Sequence, residues 1–460
     1  MSEVEVDAAV LLSPRRYLVF AIVAIGLFLV AVDQTIVATA LDAIGHDLHA
    51  QVNWAGWTIT IYSLGQVIIM PVAGKISDQF GRRRVFLAAA GLFTVASLAC
   101  GLAGNIYVLV ALRALQALGG GALVPSGTGI VADEFGPRRD QAVGFFTSVF
   151  PIGGVVGPVL GGIFVTYWSW RDVFLVNVPI GLLLLTLGAI FINDSRHVPR
   201  GPIDVAGIAL LSVSLLLAMY GVAYLGGGKS PTSPLFLGSE VLAVLGITLF
   251  VRHAQRSPAP FLSVRLLFGH GFGVMNLINY FHGVAALGLG ATIPLYAMNR
   301  YHIDTLHAGT LLTARAIGIM AFSGAAVWAI RRTGYRVPML IGYLLIATGA
   351  LLMWARPIGL SPYAWLATAA GIAGVGMGIA IPSANNASLH LAPEQTAGIA
   401  GLRGMFRQLG AISGISITTA IVASSSNSGA AQAWVFLGFA VVLLAVTPAV
   451  LFVPDHRGPW

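Results

Sequence analysis

Two ionisable residues stand where a charge is costly. Asp33 lies in Ala31-Val32-Asp33-Gln34-Thr35-Ile36-Val37 and Arg113 in the run from Leu109 to Gly121, each inside an apolar stretch long enough to cross a bilayer. A charged side chain at the centre of a bilayer costs about 3 kcal/mol or more, so an intramembrane acid is a functional candidate by default. Protonation would relieve Asp33 of that cost, whereas an arginine keeps its proton and must find a carboxylate, carbonyls or water. If their helices adjoin, Arg113 can lower the proton affinity of Asp33 in one state and release it in another, which is what proton coupling requires. The structural alternatives are a static ion pair for Asp33 and permanent ties to backbone carbonyls for Arg113.

Other chemistry is poorly represented. No paired acids, His-Glu zinc motif, Ser/Lys or Ser/His constellation stands in a convincing context, and no Gly-Lys-Ser/Thr phosphate loop is present. Cys100 is the single cysteine, which excludes an internal disulfide and a thiolate metal cluster. His282 has no clustered partner for a metal. No cofactor, metal or enzymatic activity is expected.

The elements that must position these residues are membrane helices. Hydrophobic residues make up 57% of the chain and charged ones 9%, a balance that belongs to lipid and not to a soluble domain. Fourteen apolar spans are predicted, at 17–40, 53–73, 83–103, 106–132, 141–166, 172–192, 204–225, 236–252, 271–298, 308–330, 337–355, 362–389, 398–422 and 432–453. The fold class is therefore an all-α membrane bundle. The high glycine content, 56 residues, suits helices that approach closely without a hydrophobic force between them.

The net charge of +8 does not point to nucleic acid, because of where the cations fall. With the N-terminus in the cytoplasm, seventeen of the 25 Lys and Arg residues lie in cytoplasmic segments, among them Arg15, Arg82, Arg138, Arg196, Arg200 and Arg336. Four lie in the opposite loops, and Arg113, Arg315, Arg403 and Arg407 lie within spans. That bias places both termini in the cytoplasm. The first apolar run outlasts a signal peptide and has no convincing small-residue cleavage site.

Further motifs refine the picture. Gly74-Lys75-Ile76-Ser77-Asp78-Gln79-Phe80-Gly81-Arg82-Arg83-Arg84 follows the second span. Gly74 and Gly81 would allow a tight turn, and Asp78 could meet the positive N-terminal end of the thirteenth span, which begins near Gly398. Such a contact would latch the cytoplasmic side; plain topology-setting charge explains Arg82, Arg83 and Arg84 equally well. Arg331-Arg332-Thr333-Gly334-Tyr335-Arg336 is a faint echo of this loop. It suggests two six-helix halves with the seventh and eighth spans, which have few polar residues, inserted between them. The fifth span holds Gly153, Gly154, Gly157, Pro158, Gly161 and Gly162, a smooth face with a kink site, or simply small-residue packing. For a small-molecule site, Gln34, Trp57, Tyr62, Gln116, Asn276, Asn279, His282 and Arg315 are candidates, since lipid cannot satisfy their polar groups; each could instead bind helix to helix.

The Gly74 to Arg84 loop resembles the signature of the major facilitator superfamily. The Gly153 to Gly162 string resembles the antiporter motif of its exporting members. Together with Asp33-Gln34-Thr35-Ile36-Val37, the segment Trp170 to Gly181, and Phe406-Arg407-Gln408-Leu409-Gly410, these look like the fourteen-helix drug/proton antiporter branch, the EmrB/QacA family. The resemblance covers nearly the whole chain. It implies alternating access, export of amphipathic small molecules or drugs, and antiport of protons, with Asp33 and Arg113 in coupling, Asp78 in the latch and the glycine string in antiport. A dedicated exporter of one lipid, siderophore or antibiotic uses the same machinery. The implied organisation is a tail at 1–16, a first half at 17–192, inserted helices at 204–252, a second half at 271–453 and a tail at 454–460. A monomer in the cytoplasmic membrane is expected, with a periplasmic adaptor as a partner in a double-membraned cell. In one departure, the ninth to fourteenth spans hold no acid in mid-span, unlike some multidrug members, which disfavours dications as cargo.

Overall fold

Hydrocarbon offers no partner for a backbone amide, so a chain of this composition satisfies its backbone within helices. The computed structural model describes residues 14–50, 52–193, 202–227 and 229–457, and all regular structure among them is helical. The expected cytoplasmic cations Arg196 and Arg200 and most of the tail at 1–16 lie outside the described residues.

The first helices are α1 (Pro14–Asp47), α2 (Val52–Phe80), α3 (Arg82–Gly101), α4 (Ile106–Phe135), α5 (Arg139–Thr147), α6 (Val149–Tyr167), α7 (Asp172–Leu175) and α8 (Asn177–Phe191). There follow α9 (Val205–Gly226), α10 (Pro234–Arg256), α11 (Val264–Phe268), α12 (Phe272–His282), α13 (Gly288–Tyr301), α14 (Thr305–Thr333), α15 (Arg336–Trp354), α16 (Pro362–His390), α17 (Thr396–Ala423) and α18 (Ser428–Val446). Thirteen helical stretches are long and apolar enough to span a membrane among the described residues. One of them, Ile106–Tyr167, has 62 residues. At 1.5 Å per residue it runs roughly 90 Å, enough for two crossings by α4 and by α5 with α6, which accounts for the fourteenth span.

Contacts divide the chain into two compact units. One holds Met1–Arg200 with Glu394–Gly401, the other Gly201–Pro393 with Leu402–Gly458. In the first, α6 lies against α1 through three glycines one turn apart. A Cβ at Gly153 would stand 2.5 Å from that of Ala31, one at Gly157 2.9 Å from Val32 O and one at Gly161 2.7 Å from Ile36 O, all too close. Gly154 and Gly162 meet nothing within 4 Å, so three glycines of the string form a contact face and two are open. The core around α1 includes Ile36, Val37, Leu109, Val173 and Phe174. The core of the second unit includes Met275, Leu289, Tyr296, Ile346 and Phe436.

The predicted loop from Gly74 to Arg84 is mostly helix. α2 continues through Gly74 to Phe80, and the chain turns only at Gly81, whose φ of 103° is open to glycine. Gly74 serves packing: a Cβ there would come within 2.9 Å of Gly398 Cα. The echo at Arg331 to Arg336 turns in the same way, at Gly334 with φ 77°.

Helix ends outside the lipid are capped by side chains. Asn105 accepts from Val108 N, Asp304 from His307 N and Ser361 from Ala364 N. Asp204 does more. It accepts from Gly207 N at 2.8 Å, from Phe261 N at 3.0 Å, and stands 2.7 Å from His253 Nε2, joining α9, α10 and the segment before α11. Burial alone would raise its pKa, but the two N–H groups and the imidazole outweigh burial and hold the carboxyl below its ordinary 3.8. Its contribution to stability is therefore complete above pH 3.8 and fades as pH falls through the lower folded value. Asp204→Ala should cost about 1 kcal/mol near neutrality. Thermal unfolding of both forms across pH should show the gap closing below about pH 4; a gap independent of pH would deny the carboxylate this role.

Candidate functional site

Asp33 and Arg113 are both completely buried and meet directly, with Arg113 Nη1 donating to Asp33 Oδ2 at 2.7 Å. Two amides complete the carboxylate shell. Gln116 Nε2 and Asn177 Nδ2 donate to Asp33 Oδ1 at 2.8 and 2.9 Å. The guanidinium is supported in turn: Nε donates to Thr58 O at 3.2 Å, Nη1 also reaches Gln116 Oε1 at 2.7 Å, and the Tyr62 ring lies 4.0 Å beneath it. Gln116 Nε2 donates to Ser97 Oγ, and the Cys100 thiol lies 3.7 Å from Gln116 Oε1. Five helices, α1 to α4 and α8, thus converge on one ion pair.

Close packing supplies that convergence. Gly119 lets α4 approach α3, where a Cβ would meet Phe93 N at 2.6 Å, and Gly65 takes Ala117 Cβ at the same distance. Asn177 arrives through the segment before it. Trp170 Nε1 donates to Asp47 Oδ2 at 2.9 Å, Arg171 pairs with the same oxygen at 2.6 Å and lies over the Trp170 ring, and Val173 and Phe174 are fully buried. These anchors fix α7, and α7 sets the register of α8. The same residues border a cavity of about 990 Å³ lined by Asp42, His46, Asp47, Trp168 and Arg171.

Some polar atoms here have no protein partner. Tyr62 Oη and both amide atoms of Gln66 are buried and unbonded. Gln34 and Trp57 are half-buried. Sequence reasoning passed over Gln66, Ser97, Thr58 and the role of Asn177. Gln66 had a signal, as the single amide in the apolar run from Leu64 to Met70; Thr58 acts through its carbonyl, which any residue possesses.

At the Gly81 turn, Asp78 accepts from Gly398 N at 2.8 Å and Ala397 N at 3.4 Å, two amides of the first turn of α17 that lack helical acceptors. Arg82 stands 3.3 Å from Asp78 and also reaches Asp133 and Gly129 O. Arg83 donates to Ala189 O and ties this corner to α8.

The remaining candidates belong to the second unit. Asn276 donates to Leu266 O and Leu267 O, fastening α12 to α11, and Asn279 donates to Met275 O in its own helix. His282 is buried, 5.8 Å from the Tyr343 ring, and neither ring nitrogen has a partner. Arg315 Nη2 donates to Ala286 O and contacts Met377 Sδ, both at 3.1 Å. No group of three or more metal-ligating side chains occurs among the described residues.

Known proteins resemble this chain in sequence and fold. A family model described as Major Facilitator Superfamily matches residues 23–278 and 274–460. The "Multidrug transporter protein MdtP" of Bacillus subtilis is 28% identical over 418 residues, covering 90% of this chain and 76% of that protein. The "Tetracenomycin C resistance and export protein" of Streptomyces glaucescens is 30% identical over 419 residues, 87% of this chain and 75% of that one. A crystal structure of the human organic anion transporter MFSD10 superposes with a TM-score of 0.69 over 95% of this chain and 100% of that one; at 18% identity the likeness is one of fold.

Asp78→Ala would leave Ala397 and Gly398 N–H without their acceptor. Their hydrogen exchange should accelerate by up to about 30-fold, the equivalent of a helix-terminus charge worth about 2 kcal/mol. Exchange measured by mass spectrometry over 394–401 decides it, and unchanged rates would show that Asp78 does not hold this turn.

Proposed function

The chain belongs to the major facilitator superfamily, and from that premise we propose that it is a proton-coupled exporter of amphipathic small molecules, of the fourteen-helix drug/proton antiporter branch. It is a multi-pass membrane transporter and not an enzyme. The observation that carries the finer reading is the buried Asp33–Arg113 pair with its two amides.

As an ion pair the site is neutral, and each Asp33 oxygen is satisfied. A proton on Asp33 would leave Arg113 as an uncompensated cation in a low-dielectric interior, a state favoured only if the surroundings rearrange. Protonation and conformation are thereby linked, as antiport by alternating access requires. In this proposal Arg113 tunes Asp33, and Gln116 and Asn177 orient it. Asp78, Gly74, Gly81, Arg82 and Arg83 act at the latch, and the face of Gly153, Gly157 and Gly161 lets α6 move against α1. Tyr62, Gln66 and His282, with unbonded buried atoms, suit contact with cargo. The distribution of Lys and Arg supports placement in the cytoplasmic membrane with both termini inside. The names of the relatives from Bacillus and Streptomyces support drug or antibiotic cargo. The latter name also favours a second reading, export of one dedicated metabolite. Uptake into inverted vesicles across a varied panel of compounds separates the two.

Asp33→Asn should abolish concentrative transport driven by an imposed pH gradient in proteoliposomes while leaving substrate binding in place, because the amide imitates a permanently protonated acid. Full gradient-driven accumulation by this variant would remove Asp33 from coupling.

With Asp33 as the only proton carrier, one proton enters for each cargo molecule that leaves. Export of a dication then moves one net positive charge outward, opposed by roughly 2.3 kcal/mol per 100 mV of inside-negative potential. Bis-quaternary compounds should be exported poorly and mono-quaternary analogues of similar size well. Potential-insensitive export of the dications would require a second proton carrier.

A further inference from the structure

Between Phe272 and Val453 the sequence holds only two acids, Asp304 and Glu394. Asp304 caps α14, and Glu394 lies in the short turn before α17. The interiors of α12 to α18 therefore contain no carboxylate, yet α14 carries Arg315 and α17 carries Arg403 and Arg407 one turn apart.

Glycine packing draws these cations together within the second unit. Gly283 accommodates the backbone carbonyl of Arg407, Gly410 that of Tyr280, Gly374 that of Arg315, and Gly290 leaves room for the Arg315 guanidinium. A Cβ at any of the four would overlap its neighbour. Arg407 and Arg315 are in consequence the charges that bear on His282, and Arg407 also bears on Arg403.

Protein atoms leave this cluster under-supplied. Arg315 receives one carbonyl and one thioether, a weak acceptor, and its buried Nε has no partner. Arg403 is 4% exposed, with Nε and Nη1 unbonded, and both nitrogens of buried His282 are unbonded. Helix packing alone would call for none of these charges. A buried cation without an anion is strongly unfavourable, and unbonded donors on three side chains, of which His282 and Arg403 both lie under the charge of Arg407, call for an acceptor that the protein does not supply.

We propose that His282, Arg315 and Arg403, with the added charge of Arg407, form a binding site for the carboxylate of an amphipathic organic acid. A planar guanidinium fork matches a carboxylate in two parallel hydrogen bonds, and a neutral imidazole contributes one further donor. The inference names the cargo class of the exporter proposed above and rests on that reading.

The free acid and the ethyl ester of one rhodamine dye differ only in the carboxylate, and their binding to the full chain in lipid nanodiscs is read by fluorescence anisotropy. Wild type should bind the acid at least about tenfold more tightly than the ester. Arg315→Gln and Arg403→Gln should each erase about tenfold of the acid's affinity and leave the ester's within about twofold, the retained ester binding showing that the variants fold. No preference for the acid in wild type, whether both dyes bind or neither does, overturns the inference without recourse to variants; so does an equal loss of both dyes in the variants. Proteoliposomes with a pH gradient keep the two proposals apart. Concentration of the ester by a protein that shows no preference for the acid refutes the anion site and upholds the exporter. Arginine-dependent binding of the acid with neither dye concentrated upholds the site and refutes proton-coupled export.

Discussion

Everything distinctive in this protein follows from a solvent that cannot donate or accept a hydrogen bond. The backbone answers by becoming helical, but charged side chains have no such local remedy. Asp33 can be an anion in the interior only because Arg113, Gln116 and Asn177 bring N–H groups to its two oxygens. Those donors come from two stretches of chain far apart in sequence, so the carboxylate sets where α4 and α8 lie against α1. The glycines of α4 and α6 then permit what the ion pair demands, since helices with Cβ atoms at those positions could not come close enough.

The two compact units solve the same problem in opposite ways. In the first, a buried acid and a buried base neutralise each other and nearly every atom of the pair is bonded. In the second, the interiors of α12 to α18 hold no acid, and donors of Arg315, Arg403 and His282 have no protein acceptor. The ion pair of the first unit is complete by itself, whereas in the second the proposed anion would supply the missing acceptor.

Membrane spans were legible because hydropathy over some 20 residues is a strong signal, and the charged residues of the candidate site were legible because each is isolated in an apolar run. Asp33 and Arg113 declare themselves in this way. The limits appear at finer grain. Nothing in the Gly74 to Arg84 string says that α2 persists to Phe80, because glycine weakens a helix without forbidding it, and the contact that favours helix at Gly74 comes from a segment more than 300 residues away. Asn276 and Asn177 are the same residue in similar surroundings by sequence. One fastens a nearby turn and the other reaches an acid 144 positions away, a difference that only the packing of α7 and α8 creates.

Cys100 has a consequence beyond its small size. It is the one thiol in the chain, fully buried, with its sulfur 3.7 Å from the Gln116 oxygen that also receives Arg113. A water-soluble maleimide can reach it only when the packing around it, the Gln116 amide included, has opened to water. The protein thus carries its own chemical clock for the opening of its interior: the rate at which this single sulfur is alkylated reports the loosening of the packing beside the Asp33 site, with no label engineered and no second cysteine in the sequence to compete.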